Sequence, residues 1–273
     1  MDKFADLHIH TYFSDSSSSP QEVINDAVKA QLSCIAITDH DTIDGVELTR
    51  QLAQKHDIEV LNGIELSSEF NGKDIHILGY CFKDQNGELK ILLAKIQAMR
   101  IERVKLMIEK LNKLGIKNIA FEEVKALTQS DAIGRPHLAR IMVEKGVVSD
   151  FRQAFDKYLA EDGAAYVPKY KMSPQEAIKV IRDLGGVSVM AHPMVTSKDE
   201  IIPQLVKSGL QGIEVFYPNF SQSVIDYYLK IAQKNNLVAT GGSDAHGNLK
   251  KNTFVGKKRL EYSYVEKLKA LAK

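Results

Sequence analysis

The hydrophobic positions of the chain fall into short runs that are separated by longer amphipathic stretches. The runs that predict β-strands are Phe4–His8, Cys34–Thr38, Glu59–Leu66, Asp74–Phe82, Val187–Ala191, Gly212–Phe216 and Leu237–Thr240. Helix starts are marked by Ser19-Pro20 and Ser173-Pro174, where serine suits the N-cap and proline suits the first helical turn. Alternation of strands and helices is typical of repeated βα units, so the pattern predicts an α/β fold.

The middle of the chain follows a different pattern. Strand signals stop after Asp84, and residues 89–114 carry apolar side chains at helical spacing. Shorter helical stretches follow at Phe121–Leu127, Pro136–Glu144 and Phe151–Tyr158. We therefore predict a small helical domain, residues 85–165, inserted into an α/β domain that is formed by residues 1–84 and 166–273. The insertion is expected to cap the active site.

Length and charge narrow the class of protein. A chain of 273 residues has room for one large domain that carries a smaller inserted one. The formal net charge of +1 argues against a protein that grips long nucleic acid by bulk electrostatics. Cys34 and Cys81 lie in apolar runs and are expected to be reduced core thiols. The chain shows neither a signal-peptide pattern nor an apolar run of the ~20 residues that span a membrane, which predicts a cytoplasmic location.

Histidines stand at the ends of the predicted strands. His8 and His10 close the first strand, and because strand side chains alternate with period two, both imidazoles point to the same side. Asp6 shares that parity and is predicted to support a ligand histidine. His40 stands just past the end of the second strand, and Asp15 lies in the loop after the first. The pattern places both kinds of metal-binding side chain at one end of the strands.

A hairpin signal adds two more candidates. Asn71-Gly72 predicts a two-residue turn between the third and fourth strands. In that register Glu65 faces Leu78, and His76 is the diagonal neighbour of Glu65 on the same face. Glu65 and His76 are then within reach of a shared ion.

The later strands repeat the arrangement. His192 follows one predicted strand in Ala-His-Pro, and Asp244 and His246 follow the last one in Ser-Asp-Ala-His. In a parallel barrel the C-terminal mouth is where loops converge and where active sites lie. Clustered imidazoles and carboxylates suit zinc, manganese or iron, and the absence of cysteine ligands argues against a structural zinc site. The sequence therefore predicts a metal centre of six histidines and three acids.

A possible anion site lies in the insertion. Gly134 precedes a helix that begins at Arg135-Pro136, and the amides of that helix start, together with Arg135 and His137, can hold an anionic group. A plain helix start with a solvated arginine explains the same residues equally well. Lys169, after the insertion, is a weaker candidate for the same pocket.

Taken together, the motifs resemble the polymerase-and-histidinol-phosphatase (PHP) family. The motifs are Asp-Leu-His-Ile-His-Thr, Ser-Asp, Ile-Thr-Asp-His-Asp-Thr, Gly-Ile-Glu, Ala-His-Pro and Gly-Ser-Asp-Ala-His. The resemblance spans nearly the whole chain, with the helical segment as an insertion. It implies a distorted seven-stranded β/α barrel and a three-metal site.

The resemblance also implies a ligand set. One ion would take His8, His10, Glu65 and Asp244, a second would take Glu65, His76 and His192, and a third would take Asp15, His40 and His246. Glu65 would bridge the first two ions, and Glu65, Asp244 and His192 are the predicted catalytic residues. Arg135, His137 and Lys169 are the predicted substrate contacts. We expect two or three divalent ions per chain, with manganese favoured and zinc or iron as alternatives. Such ions outweigh three carboxylates, which leaves a positive site that suits a phosphate dianion.

Within the family, the chain is most similar to stand-alone members that dephosphorylate 3',5'-nucleoside bisphosphates or trim short RNAs from the 5' end. We predict metal-dependent hydrolysis that removes the 3'-phosphate of a 3',5'-nucleoside bisphosphate. The alternatives are 5'-3' exoribonuclease activity on short 5'-phosphorylated RNA, a histidinol-phosphate-type phosphatase, and a metal-stabilised binding module without turnover. The last is disfavoured, because a purely structural site closes its coordination and does not need several ions.

Overall fold

The computed structural model describes residues 3–83, 85, 87–168, 172–250 and 252–273. The strands are β1 (Phe4–Ile9), β2 (Cys34–Ile37), β3 (Glu59–Phe70), β4 (Lys73–Tyr80), β5 (Val187–Met190), β6 (Gly212–Phe216), β7 (Val238–Gly241) and β8 (Leu260–Glu261). They form one sheet in the order β7-β6-β5-β4-β3-β2-β1-β8. The predicted α/β barrel is confirmed, and the eighth strand, which was not predicted, is a two-residue segment that pairs with β1.

The central hairpin reverses one strand of the barrel. Asn71 and Gly72 both have positive φ (49° and 78°), as a tight hairpin turn requires, and β3 pairs antiparallel with β4 in the predicted register of Glu65 opposite Leu78. β4 also pairs antiparallel with β5, whereas β1–β3 and β5–β7 are parallel. Because β4 runs in the opposite direction, its first half lies at the C-terminal mouth of the other strands. His76 therefore reaches the mouth from the beginning of its strand rather than from the end.

The segment after β7 closes the barrel against β1. The Asp244 N–H donates to the His8 carbonyl (2.8 Å), and the His10 N–H donates to the Ala245 carbonyl (3.0 Å). A Cβ atom at Gly242 would lie 2.3 Å from the His8 nitrogen, so a residue with a side chain would push the two segments apart. This close approach places Asp244 beside the two histidines of β1.

Helices cover the barrel and fill the insertion. In the described part of the chain they are α1 (Pro20–Lys29), α2 (Asp44–Ala53), α3 (Glu88–Lys113), α4 (Phe121–Lys125), α5 (Arg135–Glu144), α6 (Phe151–Ala154), α7 (Pro174–Asp183), α8 (Pro193–Thr196), α9 (Ile202–Lys207), α10 (Gln222–Lys234) and α11 (Tyr262–Lys269). α1 and α7 begin at the predicted serine caps, each with a complete capping box. A π-helical turn, Phe155–Leu159, continues α6. None of the described helices has both the length and the apolar character of a membrane span.

The barrel interior is apolar below the mouth. Its buried side chains include Leu7, Leu78 and Val189, and Val265 and Leu268 of α11 pack into the same cluster. α11 was not predicted, because only these two of its residues are buried and the surrounding sequence is rich in lysine. The interior is therefore sealed on one side, and polar groups gather at the mouth.

The insertion has its own hydrophobic cluster, but α3 belongs to two cores. Residues 104–111 of α3 contribute to the cluster that includes Leu138 and Met142 of α5. Leu89 and Leu93 near the beginning of α3 pack instead with the helices and strands of the barrel. Domain boundaries at 85 and 165 therefore stay a proposal, since one continuous helix joins the two parts.

The insertion is attached to the loop that follows β1. The Gln129 N–H and the Thr128 hydroxyl both donate to the Tyr12 carbonyl (3.0 and 3.1 Å). The Ser130 hydroxyl donates to the Phe13 carbonyl. These bonds hold the insertion against the loop that also carries a predicted ligand, and they fix its position above the barrel mouth.

Candidate metal centre and active site

The structure brings the nine predicted ligands together at the mouth of the barrel. They are His8, His10, Asp15, His40, Glu65, His76, His192, Asp244 and His246. The side chains of His8 and His10 are fully buried, and that of Glu65 is 1% exposed. His76, at 21%, is the most accessible of the nine. The cluster thus has a buried centre and an open rim.

Glu65 lies at the centre of the cluster. Its Oε2 atom is 3.2 Å from the Nε2 atoms of both His8 and His10. Its Oε1 atom is 2.9 Å from His76 Nδ1 and 3.2 Å from His192 Nε2. His40 Nδ1 also lies 3.4 Å from Oε2, so the two carboxylate oxygens face different sets of imidazoles, which suits a carboxylate that bridges two ions.

The buried part of the cluster has the spacing of a metal site. Asp244 Oδ1 lies 3.5 Å from His8 Nε2 and 3.3 Å from His10 Nε2, and the two Nε2 atoms are 3.2 Å apart. Ligand atoms that share one ion at about 2.1 Å stand about 3.0–3.4 Å from one another. The described residues thus fit a divalent ion held by these three side chains and Glu65.

The rim of the cluster offers a further group of candidate metal ligands. His246 Nε2 is 3.3 Å from Asp15 Oδ1, and His40 Nε2 is 3.8 Å from Asp15 Oδ2. Together with His10, these atoms lie close enough to hold one ion. His40 Nδ1 and His192 Nδ1 are buried without a hydrogen-bond partner in the described structure. Unpartnered imidazole nitrogens are unusual in a protein interior. His40 Nδ1 lies 3.4 Å from Glu65 Oε2 and is placed to bind an ion there, whereas His192 presents its other nitrogen, Nε2, to Glu65.

The acids of the cluster are held in the ionised form. Burial opposes ionisation of Glu65, but the facing His40 and His76 outweigh it and hold the pKa of Glu65 well below its usual value. Burial likewise opposes ionisation of Asp15, while His246 and His40 hold the pKa of Asp15 well below its usual value. Both side chains are therefore carboxylates at neutral pH, the state that binds a metal ion.

The imidazoles of the cluster cannot all carry a proton. Burial lowers the pKa of His10, but Asp244 and Glu65 outweigh it and raise that pKa to about 10. Burial instead lowers the pKa of His40 to about 3, and the neighbouring His10 adds to this lowering. The cluster holds more imidazoles than carboxylates, so some imidazoles must stay neutral, and a neutral imidazole has a lone pair for a metal ion.

Glu214, which the sequence analysis missed, orients two of the predicted ligands. Its Oε1 atom lies 3.0 Å from His8 Nδ1, and its Oε2 atom accepts the His192 N–H at 2.8 Å. A carboxylate on Nδ1 fixes the ring so that Nε2 faces Glu65, an arrangement that is common behind histidines that bind metals. The sequence offers one sign of this role: Glu214 is the single acid in the apolar strand Gly-Ile-Glu-Val-Phe, where it is fully buried.

The role predicted for Asp6 was wrong in detail. The Asp6 carboxylate accepts backbone N–H groups of His8 (3.3 Å), Ser243 (2.8 Å) and Gly256 (2.8 Å), but makes no contact with an imidazole ring. Side chains two positions apart in a strand share a face, yet here Asp6 turns to the amides that close the barrel. Burial raises the pKa of Asp6 to about 6, although these hydrogen bonds oppose the rise. Asp6 therefore supports the backbone of the site, while Glu214 supports a ring.

A cavity of about 130 Å³ opens beside the cluster. Its lining joins predicted ligands of the barrel to three arginines of the insertion. The ligands are Asp15, His40 and His76, and the arginines are Arg100, Arg103 and Arg135. Arg100 and Arg103 were not predicted, although their spacing of three residues in α3 places both on one helix face.

Two of the three arginines already have a carboxylate partner. Arg100 donates from Nε to Asp41 Oδ2 (2.8 Å), and its Nη2 atom contacts the same oxygen. Arg135 donates from Nη2 to Asp74 Oδ2 (2.9 Å), and its guanidinium lies 5.5 Å from the centre of the Phe155 ring. These partners neutralise much of the charge that the two arginines bring to the cavity.

Arg103 differs from its neighbours. Its Nε atom donates to the Val167 carbonyl (2.7 Å), its guanidinium lies 5.7 Å from the centre of the Tyr166 ring, and it forms no ion pair with any described residue. Burial lowers the pKa of Arg103 to about 10, and the nearby charges of Arg135 and Arg100 add to this lowering. An anionic group in the cavity would offset both the burial of the Arg103 charge and its repulsion by Arg135 and Arg100.

The predicted substrate contacts lie in different surroundings. Arg135 lines the cavity, whereas His137 is buried behind it. His137 Nδ1 accepts the Gly134 N–H (3.1 Å), and its Nε2 donates to the Ser14 carbonyl (2.7 Å), so both ring nitrogens are engaged within the protein. This geometry favours a role for His137 in joining the insertion to the barrel. Lys169 lies outside the described residues.

Comparison with known proteins identifies the family to which the chain belongs. The model of the PHP domain matches residues 6–161, which is more than half of the chain. The chain belongs to the PHP family. This PHP protein is 32% identical over 251 residues to a 5'-3' exoribonuclease of Haemophilus influenzae, with 90% of this chain and 91% of the relative covered. It is 32% identical over 246 residues to a 3',5'-nucleoside bisphosphate phosphatase of Chromobacterium violaceum, with 88% and 86% covered.

The fold comparison agrees. A crystal structure from Bifidobacterium adolescentis superimposes on this PHP protein with a TM-score of 0.89 at 28% identity, covering 98% of this chain and 96% of the other. Family membership and the cluster of histidines and acids identify this PHP protein as a metal-dependent phosphoesterase.

Proposed function

We propose that this phosphoesterase removes the 3'-phosphate from 3',5'-nucleoside bisphosphates and uses two or three divalent ions, with manganese favoured. The observation that carries the proposal is the cavity that joins the predicted ligands to the arginines of the insertion. A substrate with two separate phosphates can place one of them against the ligand cluster and the other against Arg103. A single small phosphate ester would leave the half-buried Arg103 guanidinium without an anionic partner among the described residues.

The ligand cluster supplies the hydrolytic chemistry in this proposal. The three ligand sets are those implied by the family resemblance, with Glu65 shared by two of them. Glu65, Asp244 and His192 are the proposed catalytic residues. Divalent ions held by these residues would supply an activated water and positive charge for hydrolysis of a phosphate ester. Glu214 keeps His8 in the orientation that presents Nε2 to the cluster.

The insertion supplies the recognition of the second phosphate. Arg103 is the main anion contact in this proposal, because Arg100 and Arg135 are already paired with carboxylates. Arg135 stays a candidate contact at the edge of the cavity. Lys169 stays a proposed substrate contact on the basis of the sequence. A guanidinium matches phosphate geometry through its parallel N–H groups, which favours arginine at such a position.

A substrate screen in the presence of manganese tests the proposal. We expect kcat/KM to be highest for a 3',5'-nucleoside bisphosphate and at least about tenfold lower for the matching 3'-monophosphate, since the monophosphate lacks the charged contact to Arg103. Equal rates on the two substrates would contradict the role of the second phosphate. Histidinol phosphate as the best substrate would place the chain in another branch of the family.

The metal content is tested separately from the substrate. We expect elemental analysis after manganese or zinc loading to find at least two ions per chain, because seven of the nine ligand residues fall into three overlapping groups rather than one closed site. Less than one ion per chain would contradict the metal centre itself.

One other activity is favoured by a specific observation. The relative from Haemophilus influenzae is a 5'-3' exoribonuclease at the same level of identity as the bisphosphate phosphatase. In short 5'-phosphorylated RNA, the 5'-phosphate can use the arginine cavity while the first internucleotide phosphate meets the cluster. RNA trimmed one nucleotide at a time with a kcat/KM above that of the bisphosphate would make this the principal activity.

A further inference from the structure

Two residues that neither the motifs nor the arginine cavity involve hold the outer oxygen of Asp244. The Tyr217 hydroxyl donates to Asp244 Oδ2 at 2.6 Å, and the Lys250 ammonium contacts the same oxygen. The Lys250 ammonium also donates to the Tyr217 hydroxyl oxygen at 2.9 Å. The three side chains form a closed triangle of hydrogen bonds at the mouth of the barrel.

The triangle has one possible direction for the tyrosine proton. A lysine ammonium has only donors, so the Tyr217 oxygen must accept from Lys250, and its own proton must go to Asp244. The Tyr217 ring is fixed as well, since it is 8% exposed and stands edge-on to the ring of His192, with centroids 5.8 Å apart. Tyr217 therefore touches one predicted ligand through its hydroxyl and another through its ring.

The two oxygens of Asp244 have different surroundings. Oδ2 is occupied by the tyrosine and the lysine, whereas Oδ1 faces His8 Nε2 (3.5 Å), His10 Nε2 (3.3 Å) and His246 Nδ1 (3.4 Å). A carboxylate can bind an ion through one oxygen or through both. Here the second oxygen is already bound by two donors that come from other parts of the chain.

We propose that Tyr217 and Lys250 are positioning residues that restrict Asp244 to one-oxygen ligation of a divalent ion. The inference rests on the proposed metal-dependent function and adds residues to its site. One-oxygen ligation leaves a coordination position for water or a phosphate oxygen, which a two-oxygen carboxylate would fill. The two residues thereby keep the site open to substrate without touching the substrate themselves.

The test uses Co²⁺ alone as a probe, because its visible absorption weakens as its coordination number rises. Tyr217→Phe and Lys250→Met each remove one donor to Oδ2. We expect both variants to bind as much Co²⁺ as the parent, but to show a weaker absorption band, and the double variant to show the largest change. With manganese and substrate, we expect kcat to fall by about ten- to a hundredfold, as loss of a residue supporting a metal ligand typically does, while KM changes little.

Matched variants control for the loss of a tyrosine hydroxyl or a lysine elsewhere. Tyr228 donates to Asp199 (3.1 Å), and Lys258 lies 5.8 Å from the centre of the Phe216 ring, so neither contacts a predicted ligand. Tyr228→Phe and Lys258→Met should leave the Co²⁺ spectrum unchanged. Parental spectra in both Tyr217→Phe and Lys250→Met would overturn the inference, even if activity fell. Because the spectrum is recorded without substrate, a wrong choice of phosphate ester under the proposed function would not affect this result.

Discussion

The barrel mouth and the insertion face each other across one cavity, but they are built in different ways. Most of the predicted ligands lie on strands of the barrel or just past their ends, and Asp15 lies in the loop after β1, so backbone pairing within the barrel sets the position of the cluster. The insertion contributes long arginine side chains from α3 and α5, which reach the cavity across the domain junction. Under the proposed function, hydrolysis depends on the barrel and substrate selection on the insertion, so mutations should separate the two.

The largest effect is expected at the centre of the barrel cluster. Glu65→Gln replaces a carboxylate whose oxygens face five imidazoles with an amide that has only one acceptor oxygen. We expect activity to fall by more than the roughly hundredfold that loss of a supporting residue costs, on every substrate alike. Steady-state kinetics at saturating manganese and a thermal melt would check this. Turnover close to that of the parent would show that Glu65 does not bridge ions.

The next effect is expected behind the cluster. Glu214→Gln leaves only one acceptor for two donors, the ring of His8 and the backbone N–H of His192, so one of them loses its partner. We expect manganese affinity or activity to fall by about ten- to a hundredfold. Titration calorimetry with manganese would measure the affinity. Asp199→Asn is the control, because Asp199 accepts hydrogen bonds from the hydroxyls of Tyr227 and Tyr228 rather than from a predicted ligand. Parental affinity and parental activity together in Glu214→Gln would contradict the orienting role.

The insertion should respond in a substrate-dependent way. Arg103→Met removes the one arginine of the cavity that has no carboxylate partner among the described residues. We expect kcat/KM for a 3',5'-bisphosphate to fall by about ten- to a hundredfold, which corresponds to about 1.5–3 kcal/mol for a charged hydrogen bond, and to change much less for a 3'-monophosphate.

Two further variants sharpen the arginine comparison. Arg135→Ala should have the same selectivity but a smaller effect, since Arg135 is already paired with Asp74. Arg140→Met removes an arginine of α5 that pairs, among the described residues, with Glu144, and should behave like the parent. Equal losses on bisphosphate and monophosphate in Arg103→Met would show that the insertion does not read the second phosphate.

The smallest catalytic effect is expected at the junction between the two parts. His137→Gln perturbs two buried hydrogen bonds, to Gly134 and to Ser14, and should lower the free energy of unfolding by about 1–3 kcal/mol. The ratio of activities on bisphosphate and monophosphate should stay at the parental value. Thermal or urea denaturation and the two assays would measure both quantities. A changed ratio of the two activities in a variant of parental stability would indicate that His137 contacts the substrate.

Local sequence patterns were sufficient for the parts of the site that depend on neighbouring residues. The strand parity of His8 and His10 and the turn at Asn71-Gly72 predicted the faces and the register that the structure has. These features follow from backbone geometry over a few residues. The barrel and the convergence of its strand ends follow from the same kind of local information.

Contacts between distant segments could not be predicted in this way. Glu214 reaches His8 across 206 positions, and Arg100 reaches Asp41 across 59. Nothing local distinguishes these side chains from a buried acid or a surface arginine, since their partners are fixed only when the barrel closes. Asp6 shows the reverse case, because its position was predicted correctly but its partners were not.

The placement of the insertion between β4 and β5 has a consequence for folding. These strands pair antiparallel, with Tyr80 opposite Val187, although the whole helical segment lies between them in the chain. Bringing the ends of so long a segment together costs entropy, and such non-local pairing slows folding. If the helical segment forms its own core early, it shortens the chain that must close between β4 and β5. α3 links the two events, because it carries residues of both hydrophobic cores. We therefore expect the helices to become protected from hydrogen exchange before the β4–β5 ladder, so that the part that selects the substrate also prepares the closure of the barrel.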